Sequence, residues 1–237
     1  MTLRFNNINI NQGDTIFLNG QRLNYDGNSK KAVVYEEITL KDKNMVLTTN
    51  QLNYSLETNI ASYFNSARIL NGENILTSQK GNYVSESKLL IFKDSVVLDN
   101  PDYLIECDTL HFHSIDEIAY FFGPTTIQSE ENLIYCENGW YNTITDRSQY
   151  NQNAYLKNEE QKLSGDSLFY DRNLGYGIAI KNVEIADSVN NYTIYGQKAE
   201  YFEHPDSSII TKNPLLVAEL DEDSLYLHSD TIIANLD

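Results

Sequence analysis

Three sets of side chains in this 237-residue sequence could do chemistry, and their spacing decides what each is suited to. Asp108, Glu137, Asp166 and Asp230 recur at equivalent places in a repeat described below. Two such carboxylates flanking a glycosidic bond could act as acid and base. The same place is filled elsewhere by Gln21, Asn50, Gln79 and Gln197, however, which cannot titrate. A position that accepts acids and amides alike is a corner-forming position, not a catalytic one. His111 and His113 flank Phe112 on one strand face, but two histidines without a third ligand read as surface residues. Cys107 and Cys136 are too few for a disulfide scaffold. They could pair only if neighbouring repeats stack directly, and they read instead as occupants of a small-residue slot. No Gly-rich phosphate loop, nucleophile elbow or Ser/His/Asp constellation is present. The sequence therefore offers no catalytic residue, no metal site and no cofactor, and the chain reads as a non-enzyme.

The elements behind these residues are repeats, which decide the fold when they exist. Tyr25, Tyr54, Tyr83, Phe112, Tyr141 and Tyr170 follow one another at 29-residue intervals. Tyr201 comes 31 residues later, and Ala234 closes the series after 33. Seven residues before this anchor stand Leu18, Leu47, Leu76, Ile105, Ile134, Leu163, Ile194 and Leu227. Five before it every residue is small: Gly20, Thr49, Ser78, Cys107, Cys136, Gly165, Gly196 and Ser229. The acids and amides stand at −4. At −2, Leu23, Leu52, Leu110 and Leu168 alternate with Gly81, Gly139, Ala199 and Ile232. The second half of each unit carries pairs at +13 and +15, from Ile38/Leu40 to Val183/Ile185. With one inserted residue, Leu215/Val217 continue them. Turn-type residues such as Lys93-Asp94-Ser95 and Gly123-Pro124 precede the pairs.

Each unit thus reads as two strands. Positions −2 and 0 share one face, as do −7 and −5, but the two sets differ in parity. Keeping both inside requires a bulge or corner between −5 and −4. A single 29-residue unit cannot bury its own apolar face, whereas eight stacked units share a continuous core. The expected fold is all-β, one elongated domain over residues 1–237, with the repeat phase held from about residue 14. The extra residues around Asn190-Asn191 and Asp221–Asp223 are expected in loops. Ile8 and Ile10 resemble the second half of a preceding unit, so the chain seen here starts in mid-repeat, as a trimmed precursor would.

Composition excludes several function classes. A net charge of −17 provides no basic track for nucleic acid. No apolar run approaches the roughly 20 residues that a membrane helix needs.

The columns resemble the OstA/LptA family of lipopolysaccharide-transport proteins. That likeness rests on aliphatic, spacer, small, Asp, spacer, aliphatic, spacer, aromatic, as in Ile105-Glu106-Cys107-Asp108-Thr109-Leu110-His111-Phe112 and Leu163-Ser164-Gly165-Asp166-Ser167-Leu168-Phe169-Tyr170. Phe121–Ile127 and Tyr135–Tyr141 resemble the OstA-like branch. The resemblance implies a semi-closed β-jellyroll, a taco of two facing sheets with an apolar interior. It implies a periplasmic protein of a Gram-negative cell, associated with the outer membrane either as a bridge or as part of a larger partner. It also implies binding of lipid A acyl chains, and edge-strand docking with other transport jellyrolls or head to tail with further copies. Residues expected to line the groove are Leu18, Leu23, Tyr25, Leu47, Leu52, Tyr54, Leu76, Tyr83, Ile105, Leu110, Phe112, Ile134, Tyr141, Leu163, Leu168, Tyr170, Ile194 and Tyr201. The plain alternative is a structural or adhesive β-solenoid whose columns fill a closed core and bind no lipid. A carbohydrate-active β-helix enzyme is disfavoured by the scarcity of Lys and Arg.

Overall fold

The computed structural model describes residues 1–12, 16–42, 45–204, 207–220 and 223–235. Those residues form strands and turns and no helix. The chain divides into two units, Met1–Asp116 and Glu117–Asp237. Asp221 and Glu222 lie outside the described residues, whereas Asn190-Asn191 is in a turn, as expected.

Unit 1 is an antiparallel meander. It runs through β1 (Thr2–Gln12), β2 (Ile16–Asp26), β3 (Lys31–Asp42), β4 (Met45–Ser55), β5 (Ile60–Tyr63), β6 (Ala67–Asn71), β7 (Asn74–Ser78), β8 (Lys80–Val84), β9 (Leu89–Asn100) and β10 (Tyr103–His113). Strand β4 pairs with both β5 and β6, and β9 with both β7 and β8. β5–β6 and β7–β8 are therefore single rungs broken at their middle. Unit 2 repeats the plan with β11 (Ile118–Gln128), β12 (Leu133–Asn142), β13 (Arg147–Lys157), β14 (Gln161–Asp171), β15 (Tyr176–Asp187) and β16 (Tyr192–Phe202). Two broken rungs follow, β17 (Ser207–Thr211) with β18 (Leu215–Glu219), and β19 (Ser224–His228) with β20 (Thr231–Asn235). One sequence repeat is one hairpin.

The rungs bend at the predicted corner. The ladder skips between Asn19 and Arg22, Cys107 and Thr109, Tyr135 and Asn138, and Ser164 and Ser167, taking in position −4 each time and −5 in all but the Cys107 rung. The opposite strand bends with it through consecutive residues in the left-handed region: Glu36-Glu37 (φ 64° and 52°), Asp94-Ser95, Gln152-Asn153, Lys181-Asn182 and Lys212-Asn213. Sequences that read as turns are thus corners inside long strands. The −4 side chain does not bond the bent backbone as expected of an Asx residue. At three corners it reaches across to the neighbouring one: Gln21 donates to Glu37 (2.9 Å), Glu137 accepts from Asn153 (2.7 Å) and Asp166 accepts from Asn182 (3.0 Å).

At the hairpin tips the fifth residue after the anchor is also left-handed: Lys30, Asn59, Lys88, Glu117, Asp146 and Gly175. Its carbonyl accepts from the next tip, as in Leu56 N to Lys30 O (2.9 Å) and Thr143 N to Glu117 O (3.0 Å). Tips therefore stack in register within each unit.

Bending folds the sheet on itself. The first arm of each rung carries the inner columns −2, 0, +7 and +9, and the second arm carries −7, −5, +13 and +15. In unit 1, Leu23, Val34 and Leu52 of the first arm pack with Leu18 and Ile38 of the second. In unit 2, Leu168, Ala179, Ala199 and Ile210 meet Cys136, Ala154, Val183 and Ile194. The last pair at +13 and +15 is corrected by the register. Leu216, not Leu215 or Val217, faces Ile194 and Leu227, and Pro214 is the fully buried +13 residue. The phase needs no insertion there.

Gly81 and Gly139 at −2 are required by close approach. Gly81 lies between Tyr63 and Phe92, and Gly139 between Phe121 and Tyr150. A Cβ on Gly81 would stand 2.4 Å from the Tyr63 ring, and one on Gly139 2.5 Å from the Gln149 carbonyl. Where the flanking rings are absent or single, leucine or alanine fits. Gly81→Leu is expected to cost about 1–3 kcal/mol by overpacking. In a double-mutant cycle by chemical denaturation, Tyr63→Ala in the same chain should recover part of that loss.

Candidate functional site: the folded trough

In each unit the apolar trough between the arms is graded from crease to rim. The +9 column forms its floor: Val34, Tyr63, Phe92, Phe121, Ala179 and Ile210 are buried, Phe121 to 1% exposure, and Tyr150 is half-buried. Opposite it at +13, Ile38, Ala67, Val96, Thr125, Ala154 and Val183 are buried too. The Tyr63 hydroxyl shares a hydrogen bond with the Ser78 hydroxyl of the small-residue column, tying first arm to second across the crease. Burial pushes the Tyr63 hydroxyl pKa up, against the lowering effect of that bond.

Of the groove residues expected from sequence, one set lies deep. Leu47, Leu52, Leu76, Ile105, Leu110, Leu168 and Ile194 are buried. Leu18, Leu23, Ile134 and Leu163 are half-buried, as are Tyr25, Tyr83, Phe112, Tyr141, Tyr170 and Tyr201. Tyr54 is 38% exposed. The anchor rings therefore stand at the rim, next to the tips, and do not fill the floor. Their neighbours explain how they fit. At +7 stand Ala32, Ala61, Ala119, Ser148, Gly177 and Ser208, interrupted by Leu90. Tyr54 is paired with Ala32 and Ala61, Tyr141 with Ala119 and Ser148, and Tyr170 with Ser148 and Gly177. Each large ring thus has small flanking residues to lean over.

The tyrosine hydroxyls are polar at the mouth. Tyr54 donates to Asn59 (3.1 Å), Tyr141 to Asp146 (2.5 Å) and Tyr170 to Glu203 (3.3 Å). Desolvation, then the charge of Glu203, raises the Tyr170 hydroxyl pKa. An apolar wall ending in fixed hydroxyls and carboxylates can accept a molecule with greasy tails and a polar head.

The other candidate groups are elsewhere. Asp108, Asp166 and Asp230 are exposed and Glu137 is half-exposed, all at the outside of corners. Cys107 and Cys136 are buried in the small-residue column, where burial pushes the Cys136 thiol to about 11. His111 is half-buried on the outer face, and burial, Lys93 and His113 lower its pKa. Among the described residues no cluster of three or more His, Cys, Asp or Glu could hold a metal.

The sequence reading overlooked the two columns that shape the trough, +9 and +7. The signal was present: Val34, Tyr63, Phe92, Phe121, Tyr150 and Ala179 keep the 29-residue interval, and Ile210 follows after 31. Phe121→Ala should destabilise the chain by about 3–5 kcal/mol. Tyr54→Ala should cost about 1 kcal/mol, since its ring is partly solvated. Urea unfolding of both variants checks the gradient from floor to rim.

Comparison with known proteins places these features. Residues 2–108 and 104–166 match the family described as OstA-like protein. No curated protein matches the chain. Among solved structures, LptH of Pseudomonas aeruginosa is similar over 50% of this chain and 80% of its own, at 9% identity and a TM-score of 0.37. It is described as the LptA-homologous periplasmic component of the lipopolysaccharide transport device. A likeness that distant carries no functional argument.

Proposed function

The chain belongs to the OstA-like family, and we propose on that footing that it is a non-enzymatic, periplasmic carrier of lipopolysaccharide. In this account the trough holds lipid A acyl chains, and docked jellyrolls lead them toward the outer membrane. One observation supports it above the rest: the inner columns are apolar on both arms, sealed at the crease and half-open at the rim. An acyl chain lying along the rim gains about 0.8 kcal/mol for each methylene it buries. Successive hairpins offer similar contacts, so no single rung becomes a deep trap. The tyrosine hydroxyls and tip carboxylates face the more polar part of the lipid.

End strands fit the docking part of the proposal. β1 pairs in phase with β2, Ile8 opposite Gly20 and Ile10 opposite Leu18, yet Phe5 and Ile10 remain 47% and 42% exposed. At the far end of unit 2, Leu227 is also exposed. Apolar residues left open on terminal strands suit β-augmentation by a like jellyroll of another protein.

The reading of a ligand-free structural solenoid draws on one feature, the packed floor of the crease. Fluorescent lipid A separates the two. Saturable binding is expected, lost or weakened more than about tenfold by Leu163→Arg together with Ile134→Arg, both half-buried rim-side residues. Circular dichroism checks that the variant stays folded. Absence of binding by the wild-type chain would favour the solenoid.

A further inference from the structure

The repeat is the same in both units on the inside but not on the outside. On the outer face of the first arm, unit 1 reads across its strands as Asn24, Val33, Asn53, Ser62, Asn82, Ile91 and His111. The register of unit 2 puts Trp140, Gln149, Phe169, Ile178, Glu200, Ile209 and Ile233 in one corresponding row. Position −1 thus changes from Asn24, Asn53, Asn82 and His111 in unit 1 to Trp140, Phe169, Glu200 and Ile233 in unit 2. An antiparallel sheet with one wet face alternates apolar and polar residues. That row of unit 2 is mostly apolar, Gln149 and Glu200 apart, on the face opposite the core, which is the pattern of a strip covered by a partner.

This surface is also electrically quiet. Its charged groups neutralise one another: Arg147 binds Asp171 (2.7 Å), Lys198 binds Glu200 (2.8 Å), and Tyr176 donates to Glu200 (2.7 Å). On a chain of net charge −17, such a face is where a second copy can approach without meeting unpaired like charge. Ile180 and Ile233 are 44% and 64% exposed, and the adjacent tip residues Ile144 and Leu174 are 63% and 72% exposed. Seven strands about 4.8 Å apart, with about five residues each, span roughly 600 Å². That reaches the low end of what one partner contributes to a stable interface, about 600 Å².

We propose that the outer face of the first arm of unit 2 pairs with the same face of a second copy, giving a two-fold symmetric dimer. This surface is the outer sheet face, distinct from the open edges of the end strands, and does not depend on lipid binding. Sedimentation velocity on the full chain in lipid-free buffer tests it. The wild type should show concentration-dependent dimers. Phe169→Asn with Ile178→Ser, which imports the polar pattern of unit 1, should raise the dissociation constant more than about tenfold. Ile180→Lys, at an exposed site, should do likewise with its thermal unfolding unchanged, which covers misfolding of the double variant. Ile10→Asp on β1 should leave the dimer intact. A wild type that stays monomeric, or a dimer that survives both face variants, overturns the proposal. So does a dimer lost on Ile10→Asp, or a monomer captured through this face by phosphatidylcholine vesicles.

Discussion

Everything in this protein depends on bending each β-rung at the same place. A left-handed residue other than glycine costs roughly 1–2 kcal/mol, and most complete corners use two in succession, such as Glu36-Glu37 and Lys181-Asn182. Burial immediately beyond the corner offsets that strain. Ile38, Val96 and Val183 are each 1% exposed, and covering such a side chain is worth about 1.5–3 kcal/mol. The small residue at −5 leaves room for this packing: a Cβ on Gly20 would stand 2.5 Å from Val34. Corner, small residue and buried aliphatic form one device, copied from hairpin to hairpin.

The proposed function draws on what that device leaves half-covered. Because the crease is filled by the +9 and +13 columns, its residues serve stability. In the proposed reading a ligand lies toward the rim, where anchor rings alternate with small residues and hydroxyls meet the tips. The same gradient reconciles the two readings of the interior. It is a closed core at the bottom and a half-covered apolar wall at the top.

Much of this was legible in the sequence because burial repeats with the chain. Position −5 is small, −7 and −2 are mostly aliphatic, and their parity conflict foretold the corner. Other features were hidden. Glu36, Glu37 and Lys181 have no residue-type signature for positive φ, since stacking against the next rung imposes it. The floor column varies between Val34, Phe121 and Ala179, so size conceals a shared position. Its size is set by the neighbour at −2, with aromatics flanking Gly81 and Gly139. Pro214 fills the last +13 position just ahead of β18, at the break in its rung, where proline needs no strand partner.

The most direct measurement is photocrosslinking to lipopolysaccharide from a benzoylphenylalanine at single positions. Residues 54 and 112, at the rim, should form lipid adducts. Residue 53, its pleat neighbour on the outer face, should not. Equal labelling at 53 and 54, or no adduct from any anchor position, would contradict a lipid path along the inside of the trough.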